Sequence, residues 1–412
     1  MSSAYGKVAG IDVHKKILVV VIVDSEHPGK DTATGKFATT ARGLQQLAAF
    51  LREHEVRQVA MESTAQYWRG VWMELEQEFD LRLAQARSTQ APRGRKWDLS
   101  DARRIARRLL ADDLTISYVP PPEQRDWRLL ARTRVSLVEQ ISRIRGLIEV
   151  VLEQAQIKLT SVVSDALGKS GRRILKALIE GEQDPDQLAA LGHRSLRASR
   201  EQLSQALCGR ITAAQRLVLR LHVEQIERIE QDIELLEQEL AREQGEHQAV
   251  VLRLCGIPGF STCSAQTVIA EIGPEAAAFS SAAKLASWIG ASPGQQESGG
   301  VPGSTRSANG NRMLRRLFCQ IAWAAAATKD SEARRRYQRL VVRKGPQKAI
   351  WAVAHYMIRV TWRILHDRVD YIAPDSSGLR RRALLQRANR LAAQMRRLGF
   401  ALTISPILPS HG

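Results

Sequence analysis

Two heptad seams within one chain limit what this sequence can fold into more than any other feature. Leu137, Ile141, Ile144, Ile148 and Val151 follow 4-3-4-3 spacing, and Ile226, Ile229, Ile233, Leu236 and Leu240 follow 3-4-3-4, with Glu, Arg and Gln filling the other faces. Apolar residues at these intervals form one stripe along a helix, and that stripe must be covered by another helix. An antiparallel hairpin within the chain satisfies both seams; pairing between chains gives the same pattern. Between the seams, residues 160–210 carry Gly168, Gly171, Gly181, Asp184-Pro185 and Gly192, which predict a small helical insertion at the far end of the hairpin. Pro120-Pro121-Pro122 marks the boundary before the first helix.

The first 90 residues read differently. An apolar strand starts at Val8, turns at His14-Lys15-Lys16, and returns through Ile17-Leu18-Val19-Val20-Val21-Ile22-Val23, whose β-branched content favours strand over helix. Lys36 to Thr39 reads as an edge strand. Thr39 or Thr40 then caps a helix through Leu44, Leu47 and Phe50 to His54. Val56–Met61 and Leu81–Ala84 read as further strands, with a helix over Tyr67–Phe79 between them. A hairpin followed by strand–helix–strand–helix–strand is an α/β layout with a mixed sheet, an order that suits a ribonuclease-H-like domain. A third region opens near Val250. There Gly256-Ile257-Pro258-Gly259 lies between two helical stretches, followed by a Gly/Ser-rich loop from Ser292 to Gly310 and helices from Asn311 to Val369. These shifts set four expected segments: 1–122 α/β, 123–247 helical coiled-coil region with insertion, 248–374 mainly helical, and 375–412 a basic tail.

Charge narrows the partner. The chain of 412 residues carries 61 Lys+Arg against 43 Asp+Glu, a net +18. Residues 1–90 are neutral, with 11 of each sign, whereas residues 301–412 hold 22 Lys/Arg against five Asp/Glu, a net of +17. Such concentration favours nucleic acid over a merely solvated helix face. No run of 18 apolar residues is present to span a bilayer, and Met1 to Lys7 lacks the apolar core of a signal peptide, so no membrane partner is expected. Cys208, Cys255, Cys263 and Cys319 are too dispersed for a paired zinc site and too sparse for a disulfide scaffold. A reduced, cytoplasmic, nucleoid-associated protein is the expectation.

Four carboxylates stand out by position. Asp12 interrupts an apolar strand in Gly10-Ile11-Asp12-Val13-His14, and Glu62 ends another in Val59-Ala60-Met61-Glu62. Asp98 and Asp101 are three apart, so on a helix both point the same way. Clustered carboxylates repel unless a cation neutralises them, which makes a Mg²⁺ or Mn²⁺ site the economical reading. Two such ions about 4 Å apart activate a nucleophile and stabilise the leaving oxygen of a phosphodiester. Taken singly, Asp12 also reads as a turn residue and Asp98 as a helix N-cap. Ser298, in Gln296-Glu297-Ser298-Gly299-Gly300, lies close in sequence to Arg306, Arg312, Arg315 and Arg316, a hydroxyl beside phosphate-binding partners; most serines in such loops are turn residues. The Gly256–Gly259 turn has the form of a helix–hairpin–helix element, whose backbone N–H groups meet phosphate without reading sequence; an ordinary turn reads the same. Histidines supply no competing constellation: His14 lies near Asp12 and the others are scattered.

Together these residues resemble the insertion-sequence-110 family of transposases, the DEDD-type recombinases. Gly10-Ile11-Asp12-Val13-His14-Lys15, Met61-Glu62-Ser63-Thr64 and Asp98-x-x-Asp101-Ala102 look like that family's N-terminal domain, itself similar to the Holliday-junction nuclease RuvC. Ile257-Pro258-Gly259, Ala270-Glu271-Ile272-Gly273, Leu285 to Gly290, Ser298-Gly299-Gly300 and Gly310-Asn311-x-x-Leu314-Arg315 look like its C-terminal transposase domain. Departures are Trp97 where the family usually has Thr, Ser307-Ala308-Asn309 ahead of Gly310, a longer middle, and an extra tail beyond Pro374. The resemblance implies Asp12, Glu62, Asp98 and Asp101 as metal ligands and Ser298 as the nucleophile that links covalently to DNA. It also implies guidance by a structured RNA, and a dimer or tetramer whose active sites combine chains. The rival expectations are a structure-specific endonuclease using the carboxylates alone, and a nucleic-acid-binding protein without enzymatic activity.

Overall fold

The computed structural model describes residues 6–62, 65–85, 97–194, 196–292, 297–298, 301–302, 307, 309–373 and 392, which divide into two compact units at residues 121 and 122. In the first unit, β1 (Lys7–Val13) and β2 (Ile17–Asp24) form an antiparallel hairpin, and β3 (Asp31–Ala38) extends it along the outer edge of β2. β4 (Gln58–Glu62) pairs parallel with β1, and β5 (Asp80–Ala84) parallel with β4, giving the order β3-β2-β1-β4-β5. The unbroken apolar run of β2 follows from burial on both faces, which removes any need for alternation. On one face Ala9, Ile11, Val13, Leu18, Val20, Ile22, Val59 and Met61 pack with Leu44, Leu47 and Leu51 of α1 (Ala41–Glu53) and with Val71 and Leu75 of α2 (Trp68–Leu75). Thr40 caps α1 by accepting from the Gly43 amide at 3.2 Å. The edge strand begins at Asp31, five residues before the sequence pattern predicts, because its alternating exposure leaves Asp31-Thr32-Ala33-Thr34 without a continuous apolar run.

The opposite face of the sheet is covered by α3 (Asp98–Leu110), with Val19, Val21 and Val23 against Ala102 and Ala106, and Val8 and Ala60 against Ile105 and Leu109. Gly10 sets how close this helix comes. A Cβ there would lie 2.3 Å from the Ala102 carbonyl oxygen and 2.4 Å from the Ala106 amide, so any side chain would push the helix off the sheet. Arg103 clamps the helix sideways, its Nε donating to Asp31 Oδ1 at 2.7 Å and to Oδ2 at 3.0 Å, while Arg107 donates to the Gly29 carbonyl at 2.8 Å.

The guanidinium bonded to Asp31 holds its carboxyl below the ordinary value of 3.8. A carboxyl held below its unfolded value contributes stability above that value and loses it as pH falls through the folded one. Asp31→Asn is therefore expected to lower the thermal midpoint at pH 7, at a cost of about 1–2 kcal/mol for charge-assisted bonds that are partly exposed. Wild type and variant should converge as pH falls through the lowered value of Asp31. Equal midpoints at pH 7 would show that the clamp contributes nothing.

The second unit opens on α4 (Pro122–Gln154), Pro122 standing where a missing amide costs no hydrogen bond. Its partner is α9 (Ala213–Glu243). Near the root Arg134 pairs with Glu237, and at the far end the Arg210 amide reaches the Ala155 carbonyl at 3.0 Å, so the two helices run antiparallel within one chain. Ile144, Ile148 and Val151 meet Leu219, Ile226 and Ile229 along the seam. The same core continues into the small helices between them, α5 (Leu159–Val162), α6 (Lys169–Glu180), α7 (Pro185–Ala190) and α8 (Arg200–Ala206). At the root, a second core joins Trp127 and Ala131 of α4 to α10 (Gln248–Cys255), α11 (Thr262–Ile272), α12 (Ala282–Ile289), α13 (Arg312–Ala327) and α14 (Glu332–His366). The last helix breaks at Gly345, where φ is 74°, just before Pro346. Between α12 and α13 lie two short strands, β6 (Glu297–Ser298) and β7 (Val301–Pro302), paired with each other. The expected basic tail, 375–412, lies outside the described residues apart from Ala392. No helix among the described residues is long and apolar enough to cross a membrane.

Candidate functional site

Side chains two apart on a strand share a face. Gly10 and Asp12 on β1, and Ala60 and Glu62 on β4, therefore look toward α3. β1 and β4 are parallel, with Ile11 opposite Met61, so Asp12 and Glu62 are neighbours at the same end of the sheet. Ligands of open α/β sheets gather at the carboxyl ends of the strands. Both aspartates of α3 fall in its first turn, where the helix dipole favours negative charge. The N-cap position is taken by Trp97, whose side chain makes no cap bond, so Asp98 is the first helical residue and not the cap. Its side chain faces the strand ends instead.

The four acidic groups thus converge, and their electrostatics show it. The Asp12 carboxyl is pushed above 3.8, first by burial and then by the charges of Asp101, Asp98 and Glu62, with His14 opposing. Arg104 donates to Asp101 at 2.7 Å, and Asp101 is buried. His14 Nε2 stands 3.1 Å from Asp12 Oδ2 and 3.4 Å from Asp98 Oδ1. One ligand atom from each of Asp12, His14 and Asp98 lies within 4.8 Å of the others. Clustered carboxylate oxygens are the donors a hard divalent cation takes, so the residues present fit Mg²⁺ or Mn²⁺. Sequence reading places His14 near Asp12 but does not count it among the ligands; the structure brings it to both Asp12 and Asp98. Its position two residues after Asp12, in the turn just past the end of β1, is the signal that finds it.

The candidate serine belongs to the other unit. Ser298 pairs with Val301 in the two-residue strands between α12 and α13, and its neighbours Gly299 and Gly300 lie outside the described residues, as does Arg306. Of the other arginines grouped with it, Arg312 is exposed, whereas Arg315 donates to the Gly290 carbonyl at 2.9 Å and lies 4.9 Å over the Trp351 ring. Arg316 pairs with Glu139 of the hairpin. Gly256 ends α10, and Gly259, at φ 90°, lets the turn approach α13 so closely that a Cβ would sit 2.5 Å from the Ile321 carbonyl oxygen. Sequence spacing did not single out the exposed cations of α14, namely Arg339, Arg343, Lys344 and Lys348, although the local charge excess includes them.

A five-stranded mixed sheet with acidic residues at adjoining strand ends and in the first turn of the covering helix is compatible with the ribonuclease-H-like class. A DEDD transposase model of IS110 elements matches residues 9–157, the span that holds all four carboxylates. A second model, described as transposase IS116/IS110/IS902 family, matches residues 252–338, which include Ser298. The chain belongs to the IS110 family of transposases and is a DNA transposase. No curated protein matches it.

Proposed function

We propose that this transposase moves its insertion element by covalent serine chemistry beside a metal-binding carboxylate cluster, with Asp12, Glu62, Asp98 and Asp101 as the ligands. The observation that carries the reading is the convergence of those four groups at one end of the sheet, where burial first and then the neighbouring carboxylates raise the Asp12 carboxyl. A divalent cation bound there supplies electrostatic stabilisation of the charge that develops on a phosphodiester in its transition state. Ser298 Oγ attacks phosphorus, the bond from phosphorus to the 3′-oxygen breaks, and the hydroxyl proton lost by serine is balanced by one gained at the leaving 3′-oxygen. The product is a phosphoserine linkage and a free 3′-hydroxyl; rejoining runs the same exchange in reverse. Arg306, Arg312, Arg315 and Arg316 serve phosphate nearby, Arg315 while also bonding the Gly290 carbonyl and Arg316 while pairing with Glu139. The cations of α14 and the Gly256–Gly259 turn extend the nucleic-acid surface. Guidance by a structured RNA, and assembly into a dimer or tetramer with composite sites, complete the proposal on the family resemblance alone.

Ser298→Ala separates this reading from an endonuclease that uses water as its nucleophile. On supercoiled DNA carrying the sequences that flank the gene, together with RNA transcribed from them, wild type is expected to yield a detergent-stable protein–DNA adduct. The variant should give neither adduct nor cleavage. Cleavage retained by Ser298→Ala would assign the chemistry to the carboxylates alone.

A further inference from the structure

Glu271 has no exposed surface, yet it is a carboxylate in the core of the second unit. It is held from two sides. From α4, Arg132 donates Nε to Oε1 at 2.7 Å and Nη2 to Oε2 at 3.0 Å, and Arg128 donates to the Glu271 carbonyl at 2.5 Å. From α13, Asn311 donates Nδ2 to Oε2 at 2.8 Å, while its Oδ1 caps the helix by accepting from the Leu314 amide at 3.1 Å. Gln124 adds a bond to the neighbouring Ala270 carbonyl at 3.0 Å. One buried carboxylate thus ties the root of the helical arm to the start of α13.

Asn311 is also where the chain re-enters the core after the segment that bears Ser298. The exit and the return of that segment touch. Gly290 ends α12 in the left-handed conformation, at φ 80°, and Gly310 lies so close that a Cβ would sit 2.3 Å from the Ile289 carbonyl and 2.4 Å from the Gly290 amide. Arg315 closes the same neck through its bond to the Gly290 carbonyl. An open recess of about 560 Å³ beside the neck is lined by Arg132, Trp288, Asn309, Gly310, Asn311 and Arg312. Arg132, the main partner of Glu271, therefore also faces the recess beside the neck.

A well-packed apolar group fills a core as stably as a buried ion pair, so stability alone does not require this one. What charged, directional bonds add is a fixed angle between the elements they join. We infer that Glu271 and Asn311 are positioning residues for covalent attack, fixing the neck of the Ser298 segment to the root of the arm. This rests on the reading of Ser298 as nucleophile.

The test uses full-length protein with the same plasmid DNA and transcribed RNA, and measures the first-order rate of adduct formation at saturating DNA. Asn311→Ser keeps a capping oxygen and removes the amide donor; Asn311→Asp keeps the cap and sets a second carboxylate against Glu271. A misplacement near 1 Å costs about a hundredfold. Asn311→Ser is thus expected to slow adduct formation about tenfold or more, and Asn311→Asp further. The half-saturating DNA concentration of Asn311→Ser should stay as in wild type, while its thermal midpoint falls only by the few degrees that one lost bond to a buried carboxylate costs, leaving the protein folded at the assay temperature. An adduct rate equal to wild type in Asn311→Ser, or a loss only in proportion to unfolded protein, overturns the inference and leaves Ser298 its role. No adduct even in wild type overturns the serine reading, and this inference with it.

Discussion

Asp12→Asn is expected to abolish strand cleavage while leaving retention of nucleic acid on the protein largely intact. The amide keeps the shape of the side chain and loses the charge that a divalent cation needs. Electrostatic stabilisation by a bound cation is worth several kcal/mol, so the fall in cleavage rate should reach about a thousandfold. Binding should survive because the charge excess lies in residues 301–412, whereas the first 90 residues are neutral. A second measurement needs no turnover. Mg²⁺ at a hundred times its dissociation constant should stabilise the wild type by about 2.7 kcal/mol and raise its thermal midpoint by several degrees. The Asn variant should show no such rise. Full cleavage activity in Asp12→Asn, or an identical Mg²⁺-dependent rise, would remove the metal-site proposal.

The second expectation concerns assembly. Asp12 and Ser298 belong to different compact units, and the chain between them runs through the whole helical arm. If the carboxylates of one chain work with the serine of another, Asp12→Asn and Ser298→Ala proteins should be inactive alone and active when mixed. In a mixed symmetric dimer, one of the two composite sites contains only wild-type groups, so an equal mixture should recover about a quarter of the wild-type sites. Adduct should form on the Asp12→Asn chain, which alone retains the serine, and tagging one chain makes this visible by size. A mixture that stays dead although both variants fold and co-assemble would place the complete site within single chains.

How far the sequence speaks depends on how many forces act on each residue at once. β2 was legible because burial on both faces leaves one solution, an unbroken apolar run. The polar start of β3 was not, since an edge strand with one wet face needs little apolar content. Asp12 and Glu62 stood out because a charge at the end of an apolar strand is costly without a purpose. Asp98 admitted two readings until Trp97 took the N-cap position. The in-chain partner of each heptad seam required the fold, because a seam specifies a cover and not whose cover it is. Arg315 reads in sequence as a phosphate ligand, and its bond to the Gly290 carbonyl, a partner 25 residues away, is announced by no local pattern. Glu271 sat inside a motif of the family, but its role as a junction depends on Arg132 and Asn311, 139 and 40 residues distant.

The hairpin of α4 and α9 also acts as a mechanical lever. At 1.5 Å per residue, α4 extends about 33 Å from Arg132, where Glu271 grips it, to its end at Gln154. Turning such a beam by about 10° there would carry its tip through about 6 Å, between one and two base-pair steps of DNA at 3.4 Å each. Seams of Ile, Leu and Val resist bending along the length, so displacement concentrates at the fulcrum, where Arg128 and Arg132 grip Glu271. Whatever the tip helices rest against thereby gains leverage over the angle at that fulcrum. Small motions there become large ones at the tip, and a load at the tip returns to the root multiplied by the length of the beam.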